Sequence, residues 1–408
     1  MFNVFRFGLI VLTILHAGIA ANAQEKSGVE AGAGGFSLNS ADGEWRLRLR
    51  GLVQLDGRYF TEDSAPDDDS EWLLRRVRPS FEGQFGERIS FRIMPEFAGS
   101  TQLIDAWIET KLNAGLRLRA GKFKSPVGLE RLQSSNDLRI VERSFVTELL
   151  PNRDIGVQLS GGSTQLNWAV GVFNGVNDGR SADQDDDGQP DFALRLFSEP
   201  LHANSNTRFS VGIGASFGRT EGSAATPLLS GYRSAGQNTL FGYRSGAEGT
   251  FADGERLRLS PQFYWYRGPI GFLGEWARVR QDVRRTSNGL ERSGTLDHEA
   301  WQVTAEWYVT GEAAGYRDAS GAIGAVQFVA RLSELRVDED AFAGGVLSFA
   351  DPADGVRKAL TQAVGINWFP IVGLKASLAF HHSTFTGGDV DGDRADEDVI
   401  FVRLQHGF

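Results

Sequence analysis

Between residues 116 and 144 the chain reads LRLRAGKFKSPVGLERLQSSNDLRIVERS, which sets guanidinium groups and hydroxyls close together at Arg131, Ser134, Ser135 and Arg143. Their chemistry is non-covalent. A planar guanidinium fork offers charge-assisted hydrogen bonds to an oxyanion, and a serine hydroxyl can turn to donate another. A strongly hydrated anion gives up its water only where such donors replace it, and a narrow, low-dielectric passage strengthens the attraction. Binding must still stay weak enough for release. Asp105 and Glu109 lie nearby in sequence and would moderate the field or orient an arginine.

The stretch opens as an alternating strand, passes a Ser-Pro-Val-Gly turn, and continues with too little regular hydrophobicity for a strand or a core helix. Around it the chain is a run of hairpins. In 45–60, Trp45, Leu47, Leu49, Val53, Leu55 and Tyr59 share one phase, and Arg46, Arg48, Arg50, Gln54, Asp56 and Arg58 the other. The alternation recurs at 88–98, 102–112 (Trp107 excepted), 255–266, 297–310 and 373–385. About sixteen such segments run from 45–60 to 397–408, and 239–254 leaves room for another. Connections alternate short and long, the long ones being 61–70, 126–153, 174–190, 219–254, 281–296, 338–356 and 386–396.

An even number of strands, apolar on one face and charged on the other, with loops sorted by length, predicts an all-β, transmembrane antiparallel β-barrel. The apolar phase then meets lipid and the arginines face a wet lumen. Segment 126–153, a long loop and the third on its side of the barrel once the short connection between 88–98 and 102–112 is counted, is expected to fold inward and line the constriction.

Bulk properties agree with that reading. Residues 1–23 carry Arg6, an apolar run and Ala21-Asn22-Ala23, the pattern of a cleaved secretory signal. The mature unit is then a single domain, 24–408, with 24–44 as a segment on the short-turn side. No later apolar run approaches the ~20 residues of a membrane helix, and there is no cysteine. The net charge of −10 would oppose an anion site if the acids lay in it, but they cluster in loops. Six of the forty-two basic residues are Lys, leaving thirty-six Arg.

GKFKSPVGLER at 121–131 followed by QSSNDLRIVERS at 133–144 resembles the phosphate-selective porin O and P family of Gram-negative outer membranes. Leu73-Leu74-Arg75-Arg76, Val309-Thr310-Gly311-Glu312, Gly365-Ile366-Asn367-Trp368 and the terminal Phe408 extend the resemblance over nearly the whole mature chain. It implies a homotrimeric, cofactor-free porin passing phosphate or similar small anions through a lumen entered by the third loop. Position by position, it implies that Arg131, Ser134, Ser135 and Arg143 form the anion site, with Arg58, Arg75 and Arg76 as wall arginines and Asp105 as a wall carboxylate. Phosphate-selective members have Lys where Arg131 stands. They also carry an arginine ladder in the fifth loop, where 219–254 offers, beyond Arg219, only Arg233 and Arg244.

Other readings fit less well. A carbohydrate porin would line its lumen with aromatics, yet Trp45, Trp265, Trp301 and Trp307 take the apolar phase. A general diffusion pore stays open as an alternative. No histidine stands beside a nucleophile motif, which speaks against a barrel enzyme. His381 and His382 alternate faces and so make no metal pair. The acidic runs 183–191 and 389–396 lack the terminal Glu of a calcium loop; they are expected as solvated outer loops facing lipopolysaccharide. Nothing in the chain points to nucleic acid.

Overall fold

The computed structural model describes residues 28–32, 35–61, 70–163, 165–201, 207–317 and 322–408. The expected signal, 1–23, lies outside the described residues. Sixteen antiparallel strands make one closed wall. The first five are β1 (Trp45–Phe60), β2 (Glu71–Phe85), β3 (Ile89–Glu96), β4 (Gln102–Asn113) and β5 (Leu116–Lys124). Next come β6 (Arg153–Gly162), β7 (Leu166–Phe173), β8 (Asp191–Leu201), β9 (Thr207–Glu221), β10 (Thr250–Arg267) and β11 (Ile270–Ser287). The circuit ends with β12 (Leu290–Tyr308), β13 (Ala325–Arg336), β14 (Val356–Ile371), β15 (Leu374–Asp389) and β16 (Glu397–Gly407). Closure is made by β16 against β1, from Val399 opposite Phe60 to Gly407 opposite Leu52. An N-terminal hairpin, Gly28–Gly32 and Gly35–Asn39, adds to the start of β1.

The alternation is expressed as expected. Among the described residues no second sheet covers the apolar phase: Trp45, Leu47, Ile93, Leu257 and Trp307 are exposed on the outside of the wall, as a bilayer-facing surface requires. Gln54, Asp56, Arg256, Arg258 and Gln262, of the opposite phase, are buried inside. Trp107, the exception in its strand, is a lumen residue and lies under the Arg119 guanidinium, 4.3 Å from ring to cation.

One expected loop is a correction. Residues 281–296 continue β11 and β12 into a tall hairpin closed at Asn288-Gly289, where both residues take positive φ, 51° and 77°. That is the two-residue turn favoured by Asn-Gly, whose twist matches the strands. The room allowed for another strand at 239–254 holds only Thr239–Phe241, paired with Tyr232–Arg233 inside the fifth loop; 250–254 belong to β10.

The apolar core sits inside the barrel. Phe145, Val146, Leu149 and Leu150 of the third loop join Tyr232, Leu240 and Phe241 of the fifth and Phe342 and Phe349 of 337–355, against Val279, Leu296 and Leu335 of the wall. The third loop, 125–152, is therefore folded inward. It keeps only two short helices, α1 (Leu129–Leu132) and α2 (Val146–Leu149), so most of its backbone groups need partners from elsewhere. Wall side chains supply them. Glu275 accepts from the Leu129 and Glu130 N–H groups at 2.6 and 2.9 Å. Gln262, Asn367, Arg331 and Arg403 donate to the carbonyls of Val127, Arg139, Glu142 and Val141 at 2.6–2.9 Å. Lys375 donates to those of Asn136 and Leu138.

Candidate anion site

Where the third loop leaves β5 and rejoins β6, it encloses a cavity of about 230 Å³ with the wall. Arg75, Arg76 and Arg78 of β2 line one side, and Arg331, Ser333 and Thr361 of β13 and β14 another. The loop and its roots contribute Lys124, Arg131, Ser135, Glu142, Arg143, Glu148 and Arg153, and neighbouring loops add Arg180 and Arg233. Ten cations thus face two carboxylates.

Adjacent residues on a regular strand point to opposite faces, yet Arg75 and Arg76 line the same cavity. The register explains this. Gln54 pairs with Arg76 and Leu55 with Leu74, so Arg75 is the extra residue of a β-bulge and turns inward beside its neighbour.

Four of the cations have carboxylate partners. Arg75 binds Glu142 through two bonds, 2.8 and 3.2 Å; Arg78 binds Glu96 at 2.5 Å, Arg153 binds Asp105 at 2.7 Å and Arg331 binds Glu130 at 3.1 Å. Arg76, Arg131 and Arg143 donate to neutral oxygens instead: Gln54 Oε1 at 2.6 Å, the Thr147 carbonyl, and the Gln133 carbonyl at 2.7 Å. Lys124 shares the Gln133 carbonyl at 2.7 Å. The Nε atoms of Arg76, Arg131 and Arg143 are buried and have no partner among the described residues. Donors left in that state carry a desolvation penalty that an oxyanion relieves.

The charges on the loop respond to this crowding. Burial and the neighbouring cations pull the Arg131 and Arg143 guanidiniums down to about 10, still charged at neutral pH. Burial pushes the Glu148 carboxyl above its ordinary value against the pull of Arg131 and Arg180. Burial works on Glu142 in the same sense, but Arg75, Arg403 and Arg76 overcome it and hold that carboxyl well below the carboxylate range.

A family model described as phosphate-selective porin O and P matches residues 47–408. The chain belongs to that family. No curated protein matches the sequence. Among solved structures, the outer membrane channel DcaP of Acinetobacter baumannii superposes with a TM-score of 0.58 at 10% identity, covering 89% of this chain and 97% of that one. An anion-selective porin from Comamonas acidovorans gives 0.54 at 13% identity, covering 90% and 100%. The trimer form of OmpT from Vibrio cholerae gives 0.53 at 9%, covering 89% and 99%. At such identities the likeness shows the barrel fold alone; the family match makes the protein an outer-membrane porin.

Of the residues singled out in the porin's sequence, Arg75, Arg76, Arg131, Ser135 and Arg143 meet at the cavity. Ser134 does not: it is exposed, and its hydroxyl accepts the Asn136 N–H at 3.2 Å. Arg58 turns to Glu71 at 3.0 Å and to the Gly236 carbonyl, fastening the fifth loop. Asp105 stands behind the lining, orienting Arg153 and lying 3.7 Å from Arg92. Sequence reading left out Arg78, Lys124, Arg180, Arg331, Glu142 and Glu148. Arg78 was findable, since it holds the lumen phase of the Arg75-Arg76 strand. The acidic outer loops turn inward on themselves: Asp185 accepts the Asp187 and Gly188 N–H groups, and Asp393 that of Gly387.

Proposed function

We propose that this porin is an anion-preferring channel for phosphate or similar small anions, working as a homotrimer. The observation that carries the reading is the cavity in which ten cations face two carboxylates, with buried guanidinium donors left unpartnered. A hydrated oxyanion can exchange water for those donors, and the low-dielectric surroundings strengthen each bond. Inorganic phosphate suits forks approaching from several sides, as Arg76, Arg131 and Arg143 do. The fifth loop is poor in arginine, but Arg233 reaches the cavity, whereas Arg244 is tied to Asp351 at 2.9 Å. The trimer form of OmpT, on the same fold, supports the assembly.

The test is the reversal potential of single channels in a KCl gradient, with and without inorganic phosphate. The wild type is expected to prefer anions and to lose chloride current as phosphate is added. The Arg131→Ala/Arg143→Ala double variant is expected to lose most of that preference. Cation preference in the wild type, or an unchanged preference in the double variant, overturns the reading.

A further inference from the structure

An anion site of this charge faces a difficulty that its own geometry answers. Binding must be strong enough to strip water and weak enough to allow exit, and ten cations favour the first over the second. Glu142 stands where it can redress the balance. It belongs to the third loop, is 6% exposed, and lines the cavity with the cations. Both its oxygens occupy the Arg75 fork, and Oε1 also lies 3.4 Å from Arg403. Arg403 is held in turn by Asp56 through two bonds of 2.6 Å, so it is fully engaged. Among the described residues Arg75 has no such second carboxylate, and it offers its fork to Glu142.

We propose that Glu142 is a built-in counter-ion and sets how tightly the channel holds its anion: a carboxylate of the protein occupies the fork that a permeating phosphate would otherwise take. The inference rests on the anion-channel reading and deepens it by assigning the residue that sets affinity. Glu142 is a specificity-determining residue here because it occupies the cavity itself. Glu148, the other lining carboxylate, receives among the described residues only the Arg233 backbone N–H at 3.3 Å and holds no guanidinium fork. A simple tie would also hold the loop, but Arg331 and Arg403 already fix the carbonyls of Glu142 and Val141, so the loop does not depend on this side chain for its path.

The experiment uses the full-length porin in planar bilayers, with chloride current titrated by inorganic phosphate. In Glu142→Gln, removal of one charge and release of one fork are expected to lower the half-saturating phosphate concentration about tenfold, with a smaller saturated current because release slows. Glu142→Asp keeps the charge and is expected to stay within about twofold of wild type. Should Glu142→Gln fail to assemble, Arg75→Gln/Glu142→Gln decides: it buries an amide pair, leaves the net charge unchanged, and is expected to bind phosphate within about threefold of wild type. The proposal falls if Glu142→Gln assembles and titrates as wild type, if Glu142→Asp behaves like Glu142→Gln, or if the double variant loses about tenfold or more in affinity. A wild-type channel that prefers cations defeats the anion reading instead, so the two failures are distinct.

Discussion

Two regions share the lumen and are built on opposite principles. Over β11–β15 the fifth loop and 337–355 form a dry apolar block, in which Tyr232, Leu240, Phe241 and Phe349 are fully buried against Val279, Leu296 and Leu335. Its histidine is satisfied: His298 accepts the Asp338 N–H at Nδ1 at 3.1 Å and meets the Tyr243 hydroxyl at 2.9 Å. The cavity beneath the third loop is the reverse, crowded with like charges and unpartnered donors. The outer face of the wall meets lipid, where packing gains little hydrophobic drive, so the barrel places its apolar core inside. There it fills space. The difference implies that stability and selectivity are separable.

Phe349→Ala probes that separation with the largest expected effect on stability. The ring is fully buried and lies 4.3 Å under the Arg292 guanidinium, and Phe→Ala in a packed core costs about 3–5 kcal/mol. Urea unfolding in detergent should show a loss of that size while the reversal potential stays at its wild-type value; a shifted reversal potential would merge the two regions into one. Glu275→Ala acts on the seam between them. Without the carboxylate, the Leu129 and Glu130 N–H groups lose their acceptor, a loss of about 1–3 kcal/mol. The third loop should then fluctuate, giving excess open-channel noise that Phe349→Ala does not show.

The two regions were unequally legible in the sequence. The array of about sixteen strands was legible, and in the segments of clear alternation the faces followed from period two, because Trp45, Leu47 and Leu49 must leave the face that Arg46, Arg48 and Arg50 take. The inward course of the third loop also showed, as a polar segment on a regular array. The tall hairpin carries an Asn288-Gly289 turn, yet 281–296 reads as a loop because its outward residues, Asp282 and Arg284 among them, are charged where the strands outrun the apolar band. The site was read only in part, since its members come from β2, β5, β6, β13, β14 and three loops, and which of them meet is set by closure of the wall. Nor does alternation locate a bulge: it puts the neighbours Arg75 and Arg76 on opposite faces, and only the pairing of Gln54 with Arg76 and of Leu55 with Leu74 brings both to the lumen. The stitching residues Glu275, Asn367 and Lys375 read only as polar lumen positions, because their partners are backbone groups of a loop more than a hundred residues away.

The smallest effect separates the two carboxylates of the cavity. Glu142 is held ionised by Arg75, so acidification to pH 4 leaves its charge in place. Glu148 is raised above the ordinary value of 4.5 by burial, which its cationic neighbours only partly offset. A raised carboxyl takes up its proton first as pH falls, and each proton bound there removes a negative charge from the cavity. Anion preference should therefore rise as pH is lowered from 7 toward 4, beginning above the ordinary carboxylate range, and Glu148→Gln should remove the dependence while matching the low-pH wild type at every pH. The reversal potential measured across that range in the two channels checks this. A wild-type profile that is flat, or that persists in Glu148→Gln, would place the titrating group outside the cavity and leave Glu148 with only its bond to the Arg233 backbone.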